Sequence, residues 1–175
     1  MKEKTKNVVV HLGDVGPDDS AKGREYTERF PDIMFIGIDI EERLEKFELD
    51  NYRHLTADFI GGLKTLEDNS ITLISSNLAL GYYDVAGNMI KAKEAADYTM
   101  RVAQLAHDKL KRGGKLLVVV AEDQADIIKE AVIKGSFHPE DVKTRPLEPN
   151  EYKRTHWIKD YVKDNIPLCQ ITATK

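Results

Sequence analysis

Cysteine is nearly absent from this sequence of 175 residues, which contains Cys169 and no other thiol. One cysteine cannot form an internal disulfide, so a small secreted scaffold held by disulfides is excluded. Cys169 lies in an apolar run, and we therefore expect a buried thiol rather than a nucleophile. The histidines show no mutual spacing typical of metal ligands, so we expect no metal site.

Long hydrophobic runs are also missing. The longest apolar stretch, Leu116 to Ala121, is far shorter than the roughly 20 residues that span a membrane. Residues 1–6 are not followed by the apolar segment of a signal peptide. We therefore expect a soluble, cytoplasmic protein with no membrane partner.

The sequence also lacks an excess of positive charge, because it has 26 Lys and Arg residues and 30 Asp and Glu residues. The resulting pI of about 5.8 is unlike the basic footprint of proteins that coat nucleic acids. One segment, residues 143–164, is rich in cations but also holds acids. It could face a phosphate backbone, although a mixed, solvated surface is the favoured interpretation.

The composition is that of a globular domain, with 41% hydrophobic and 32% charged residues. The length suits one well-buried domain over residues 1–175 and is too short for two. There is no internal repeat, low-complexity segment or linker, which also favours a single folding unit.

Apolar runs alternate with helix-like stretches, as in repeated strand and helix units. Strands are predicted at 8–12, 34–39, 54–57, 71–77, 115–120, 142–145 and 168–172, and helices at 20–30, 41–49, 88–112, 123–134 and 150–163. We predict an α/β, Rossmann-like fold with a seven-stranded, mostly parallel sheet and helices on both faces.

Several boundaries have local chemistry of their own. Lys111 and Arg112 precede two glycines and predict the end of the long helix, while Ser20 and Asp123 can cap helices that follow strands. The glycine- and tyrosine-containing segment 78–87 is expected at the ligand-facing rim of the sheet, and the segment 137–141 is expected to be a structural turn.

A glycine-bearing turn at residues 12–17 is followed, about twenty residues later, by an apolar run that ends in Asp39. A glycine turn after the first strand lets backbone approach a ligand, and an acid ending the second strand can accept hydrogen bonds from ribose hydroxyls. Taken alone, Asp39 could equally be a solvated helix cap.

Asp58 and Phe59 follow the third predicted strand. An acid for an adenine amino group and an aromatic neighbour for its ring suit an adenosine-containing ligand. Asp58 alone would more often be a helix cap. Combined with Asp39 in this strand order, it favours the adenosine interpretation.

Four motifs carry a family resemblance over nearly the whole chain: Phe-Ile-Gly-Ile-Asp-Ile at 35–40, Leu-Thr-Ala-Asp-Phe at 55–59, Asn-Ser-Ile-Thr-Leu-Ile at 69–74 and Leu-Lys-Arg-Gly-Gly-Lys-Leu at 110–116. Their order resembles class I S-adenosylmethionine-dependent methyltransferases. Segments 67–71, 120–123 and 153–157 are most similar to the tRNA guanine methyltransferases that form 7-methylguanosine.

The resemblance implies S-adenosylmethionine as the methyl donor and assigns roles to individual residues. The implied donor-binding residues are Gly13, Asp14, Gly16, Asp39, Ile40, Asp58, Phe59 and Asn77. Asn77 would also border the site of methyl transfer, and Asp123 and Thr155 match positions that help hold the acceptor guanosine. The acceptor itself stays open: it could lie in RNA, be a small molecule, or be a substrate brought by a partner protein.

Three positions depart from the family pattern. His11 stands where the first motif usually has an acid, Leu80 replaces the acid after the fourth strand, and Ile158 replaces a glutamate of the last motif. These departures support an alternative, a non-catalytic subunit that keeps the fold. A dinucleotide-dependent oxidoreductase is less favoured because the first turn lacks a regular Gly-x-Gly-x-x-Gly.

Methyl transfer from a sulfonium needs positioning and no covalent enzyme group. A ring nitrogen could react by positioning alone, whereas an oxygen would require a base, for which Asp84, Asp123 and a histidine are candidates. Tyr82 and Tyr83 could stack on a planar acceptor or close over the donor, or could simply pack the loop.

Overall fold

The computed structural model describes residues 7–13, 27–41, 50–81, 92–148, 151 and 166–175. Its strands are β1 (Asn7–Leu12), β2 (Ile33–Asp39), β3 (Tyr52–Thr56), β4 (Ile71–Asn77), β5 (Leu110–Ala121), β6 (Val142–Pro146) and β7 (Leu168–Thr174). Its helices are α1 (Phe59–Lys64), α2 (Ala92–Lys109) and α3 (Ala125–Lys134).

The seven strands form one sheet in the order β3-β2-β1-β4-β5-β7-β6. Strands β1 to β5 pair in parallel, whereas β7 is antiparallel to both β5 and β6. This confirms the predicted fold class. The ends of β1 to β5 meet at one side of the sheet, here called the carboxyl rim, and the strand order reverses between β1 and β4, where such sheets form their ligand crevice.

Alternation along the strands explains how the sheet buries one of its faces. Val10, Leu12, Ile38 and Ile74 are completely buried, and each such side chain contributes on the order of 1.5–3 kcal/mol when it leaves water. Helix α1 lies against this face, since a Cβ added at Gly62 would be 2.5 Å from Ile38. Helix α2 contacts both α1 and α3, so the three helices cover the same face.

The prediction that the long helix ends at Arg112 is wrong, because α2 ends at Lys109. The amides of Asn69 and Ser70 donate to the last two carbonyls of the helix, and Lys109 Nζ lies 2.6 Å from Asp68 Oδ1. These bonds hold the helix end against the turn before β4. The chain therefore enters β5 at Leu110, the pairing with β4 shifts register between Leu110 and Lys115, and Gly113 in this stretch has a φ of +76°.

The predicted cap at Asp123 is also wrong. A short 3-10 turn, Glu122–Gln124, follows β5, and Gln124 occupies the cap position of α3 without a side-chain hydrogen bond. The Glu122 amide donates to the Pro167 carbonyl at 2.9 Å, which directs the chain away from β5 before the helix begins. The predicted turn at 137–141 is confirmed by a 3-10 turn at Pro139–Asp141.

Three predicted helices, at 20–30, 41–49 and 150–163, and the cap at Ser20 lie mainly or wholly outside the described residues. Residues 27–29 of the first are helical. Within the ranges that the structure describes, no helix is long and apolar enough to span a membrane.

Candidate functional site

Gly13 is the point where three loops of the carboxyl rim meet. Its amide donates to the Ile38 carbonyl at 2.9 Å, and its φ is +81°. A Cβ at this position would lie 2.5 Å from Ala79 Cβ and 3.9 Å from Phe59 Cζ. The loops after β1, β3 and β4 therefore approach each other here, and only glycine fits without displacing a neighbour.

Asp39 ends β2 at the same rim. Its Oδ1 accepts a hydrogen bond from the Glu41 amide at 3.1 Å, and its carbonyl accepts one from the Ala57 amide at 2.7 Å. Burial raises the pKa of Asp39, and the negative charge of Glu41 adds to the increase, while the Glu41 amide opposes it. Hydroxyl groups of a ligand would supply hydrogen bonds to this half-buried carboxylate. The neighbouring Ile40 is exposed.

Asp58 caps α1 through one of its two carboxylate oxygens. Its Oδ1 accepts from the amides of Ile60 and Gly61 at 2.9 and 3.1 Å. In the described part of the chain Oδ2 has no hydrogen bond. The cap that the sequence allowed is therefore present, and it leaves an acceptor for a ligand.

Phe59 follows Asp58 and is buried, with 8% of its surface exposed. Its ring lies beside the Gly13 turn and stacks with Tyr98, at 6.2 Å between centroids and an interplanar angle of 27°. Its amide donates to Tyr98 Oη at 3.1 Å. Sequence analysis missed Tyr98, which comes from α2, because nothing in the local pattern connects it with a rim residue 39 positions earlier.

The loop after β4 is apolar where the family resemblance expects an acid. Leu80 is completely buried in the core, and its amide donates to Ser76 Oγ at 2.9 Å. A Cβ added at Gly81 would lie 2.6 Å from Ile128 of α3. Asn77, at the end of β4, is half-buried.

His11, which replaces the usual acid of the first motif, lies opposite Ser75 on the neighbouring strand. Its Nδ1 and Ser75 Oγ share a hydrogen bond of 2.8 Å, and Ser75 Oγ also donates to the Val10 carbonyl at 3.4 Å. The ring of His11 thus joins β1 to β4 directly below the crevice between them.

The remaining predicted site residues are dispersed or not described. Asp123 is exposed on the 3-10 turn after β5. Asp14, Gly16, Tyr82, Tyr83, Asp84 and Thr155 lie outside the described residues. Cys169 is buried as predicted, and burial raises the pKa of its thiol, with smaller contributions from Glu122 and Asp126. No cluster of metal-ligating side chains occurs among the residues with described positions.

In the cation-rich segment 143–164, the described Arg145 pairs with an acid of the same segment, Glu151. Arg145 NH1 and NH2 each lie 2.8 Å from a carboxylate oxygen of Glu151. This pairing raises the pKa of Arg145 and agrees with a mixed surface. Lys153, Arg154 and Lys159 are outside the described ranges.

The strand order and the antiparallel β7 are those of a Rossmann-like methyltransferase fold. No protein-family model matches the chain, and no curated protein matches it. Solved structures do. The 16S rRNA methyltransferase KamB has a TM-score of 0.68 at 14% identity, with 96% of this chain and 87% of that chain covered.

Two further structures give the same result. An antibiotic-related methyltransferase has a TM-score of 0.65 at 15% identity, and the match covers 97% of this chain and 88% of that chain. A SAM-dependent methyltransferase from Archaeoglobus fulgidus has a TM-score of 0.61 at 16% identity, with 98% and 88% covered. At these identities the similarity establishes the fold.

Proposed function

We propose that this chain is a single-domain methyltransferase that uses S-adenosylmethionine. The observation that carries the proposal is the arrangement of Gly13, Asp39 and Asp58 at the ends of three adjacent strands, around the switch point of a methyltransferase-like sheet. Each residue is held in place by backbone hydrogen bonds. The rim is therefore formed before a ligand arrives.

S-adenosylmethionine fits this rim by the chemistry of its parts. The carboxylate of Asp39 would accept hydrogen bonds from the ribose hydroxyls, and the free oxygen of Asp58 would accept one from the adenine amino group. The close approach of Gly13 to Ala79 leaves backbone, rather than side chains, facing the methionine portion. Asp14, Gly16, Ile40, Phe59 and Asn77 complete the proposed set.

The bound donor supplies an electrophilic methyl group on a sulfonium. The chain itself then has to orient the acceptor in line with that methyl and keep water away. Asn77 and Leu78 border the space above β4, and Asp123 lies after the next strand of the sheet. Asp123 and Asp84 are the candidate bases for an oxygen acceptor, whereas a ring nitrogen would need none.

For the acceptor we propose an RNA base. Support comes from the motif resemblance to tRNA guanine methyltransferases and from the fold similarity to a 16S rRNA methyltransferase. Tyr82, Tyr83 and Thr155 are the proposed contacts, the tyrosines as stacking surfaces. The net charge of −4 favours a small set of local contacts over a broad basic surface.

Calorimetry with S-adenosylmethionine and S-adenosylhomocysteine tests donor binding. Wild type should bind both, and Asp39→Ala should bind neither measurably. Asp141→Asn is a control that removes an acid at the opposite rim, because Asp141 precedes β6, which runs parallel to β5. Absence of heat from folded wild type at high ligand concentration would exclude the proposal.

A second candidate function is a non-catalytic subunit with the same fold. It is favoured by Leu80, since a buried leucine replaces an acid at the rim. Incubation with labelled donor and total cellular RNA, protein extract or metabolites distinguishes the two functions. Label transfer that Asp39→Ala abolishes identifies an enzyme, and donor binding without transfer to any fraction supports the subunit.

A further inference from the structure

Tyr98 reaches from α2 to the beginning of α1, on the side of the rim where we propose that S-adenosylmethionine binds. Its Oη accepts the Phe59 amide at 3.1 Å, and its ring stacks on the Phe59 ring. A phenol is both an acceptor and a donor. Accepting from Phe59 therefore leaves the Tyr98 O–H proton for another acceptor, and the described residues provide none.

The neighbouring acid has the opposite capacity. Asp58 Oδ1 accepts from two α1 amides, and Oδ2 has no hydrogen bond to a described residue. The charge of Asp58 acts on the Tyr98 phenol and helps to raise its pKa. Among the described residues, the start of α1 beside the Gly13 turn therefore has a phenol O–H without an acceptor and a carboxylate oxygen without a donor.

Adenine presents this pair in reverse along one edge, with an amino group that donates at C6 and a ring nitrogen that accepts at N1. We propose that Tyr98 is a specificity-determining residue of the donor site: its hydroxyl donates to N1 while Asp58 Oδ2 accepts from the 6-amino group. The inference rests on the proposed function and adds to it a residue that lies 39 positions after Phe59 in the sequence.

The state of the phenol agrees with this role. Burial raises the pKa of Tyr98 to about 12 and the charge of Asp58 adds to the rise, while the Phe59 amide opposes it. The hydroxyl consequently stays protonated at neutral pH and keeps its hydrogen for donation. A phenylalanine would stack on Phe59 equally well. The hydroxyl group is therefore the part of Tyr98 that would recognise adenine.

The test compares S-adenosylhomocysteine with its deaminated form, S-inosylhomocysteine, in which N1 carries a hydrogen and C6 an oxygen. Wild type should strongly prefer the adenosyl compound. Tyr98→Phe should weaken S-adenosylhomocysteine binding by about 5- to 10-fold, the effect of one lost hydrogen bond. It should weaken S-inosylhomocysteine much less, since N1–H cannot accept from Tyr98.

Asp58→Asn provides a second variant with a different readout. The cap requires an acceptor at Oδ1, so the new amide nitrogen takes the place of Oδ2 and donates where the carboxylate accepted. Preference should therefore shift toward the 6-oxo ligand. This variant continues the test should Tyr98→Phe fold poorly.

Tyr52→Phe is the matched control, because it removes a phenol at the opposite rim, where β3 begins. Thermal melting of each unliganded variant separates stability from affinity. Unchanged ratios between the two ligands in both Tyr98→Phe and Asp58→Asn would overturn the inference while leaving donor binding intact. No binding of S-adenosylhomocysteine by folded wild type would overturn the inference and the proposed function together.

Discussion

The two halves of the carboxyl rim differ in how polar they are. The half formed by the ends of β1 to β3, where we propose that the methyl donor binds, holds two carboxylates that backbone amides fix in place. The described part of the other half, at the ends of β4 and β5, contains the buried Leu80 and an exposed 3-10 turn. In the described residues, the first half fixes its carboxylates at the edge of the sheet, whereas the second packs a core leucine after β4 and carries its acids on an exposed turn.

This difference separates binding from transfer. Under the proposed function, Asp39 and Asp58 would hold the adenosine, whereas the acceptor would be oriented by the half in which Leu80 stands where the motif resemblance expects an acid. Transfer to an intrinsically nucleophilic ring nitrogen requires the fewest groups there. Substitutions at the ends of β1 to β3 and at the ends of β4 and β5 test the two halves separately.

Leu80→Asp should have the largest effect. The substitution introduces the acid that the motif resemblance expects here, but it places a carboxylate at a position with no solvent exposure. We expect a loss of about 4 kcal/mol or more in the free energy of unfolding, measured by urea denaturation. Leu80→Met, which conserves volume, should lose less than about 1.5 kcal/mol. A stable Leu80→Asp protein with increased methyl transfer would contradict the description of this half as core.

Gly13→Ala tests the meeting point of the loops. The methyl would face Ala79 Cβ at 2.5 Å with φ at +81°, and we expect a loss of about 2–3 kcal/mol in stability. Gly113→Ala has a similar φ of +76° but open space around the new methyl, so it should cost only about 1–2 kcal/mol. Equal losses in the two variants would mean that the Ala79 contact is unimportant.

Ser76→Ala should follow in size. Ser76 is completely buried, and its hydroxyl accepts the Leu80 amide. Without it a buried N–H has no partner, which costs about 1–3 kcal/mol. Ser70→Ala, which removes a hydroxyl bonded to the Glu67 carbonyl at the surface, should lose less. Urea denaturation of both variants would show whether the apolar half depends on this hydrogen bond.

Asp39→Asn should give the smallest effect on stability, with the opposite sign. An acid whose folded pKa is raised stabilises the fold below its ordinary pKa of 3.8, and this contribution is lost as the pH rises through the raised value. The unliganded variant should therefore be slightly more stable than wild type at neutral pH, and the difference should shrink toward acid pH. Urea denaturation from acid to neutral pH measures the stability difference. Calorimetry with S-adenosylmethionine measures the expected loss of donor binding. A variant that is less stable at neutral pH would contradict the role of burial.

The sheet was largely predictable from sequence because its strands are short apolar runs with regular alternation. The prediction failed where tertiary contacts override local patterns. Lys111 and Gly113 resemble a helix end, yet Leu110 pairs with Ile71 and takes the chain into β5. Asp123 resembles a cap, yet the bond between Glu122 and Pro167 moves the start of α3. Neither contact is visible in a local window.

The candidate site divides in the same way. Asp39 and Asp58 were predictable because the order of strands places their carboxyl ends on one rim. The pairing of His11 with Ser75 and of Tyr98 with Phe59 was not, because each joins residues far apart in sequence. The sequence showed which carboxylates the rim would hold, and only the fold showed which hydroxyls accompany them.

The position of β7 has a consequence for folding during synthesis. β6 precedes β7 in the chain, yet it joins the sheet only through β7, which lies between it and β5. Until residues 168–174 have left the ribosome, the edge of β5 has no strand beside it and β6 has no place to dock. An unpaired apolar edge of this kind invites association with other chains. The β5 edge is therefore open to other chains until β7 docks.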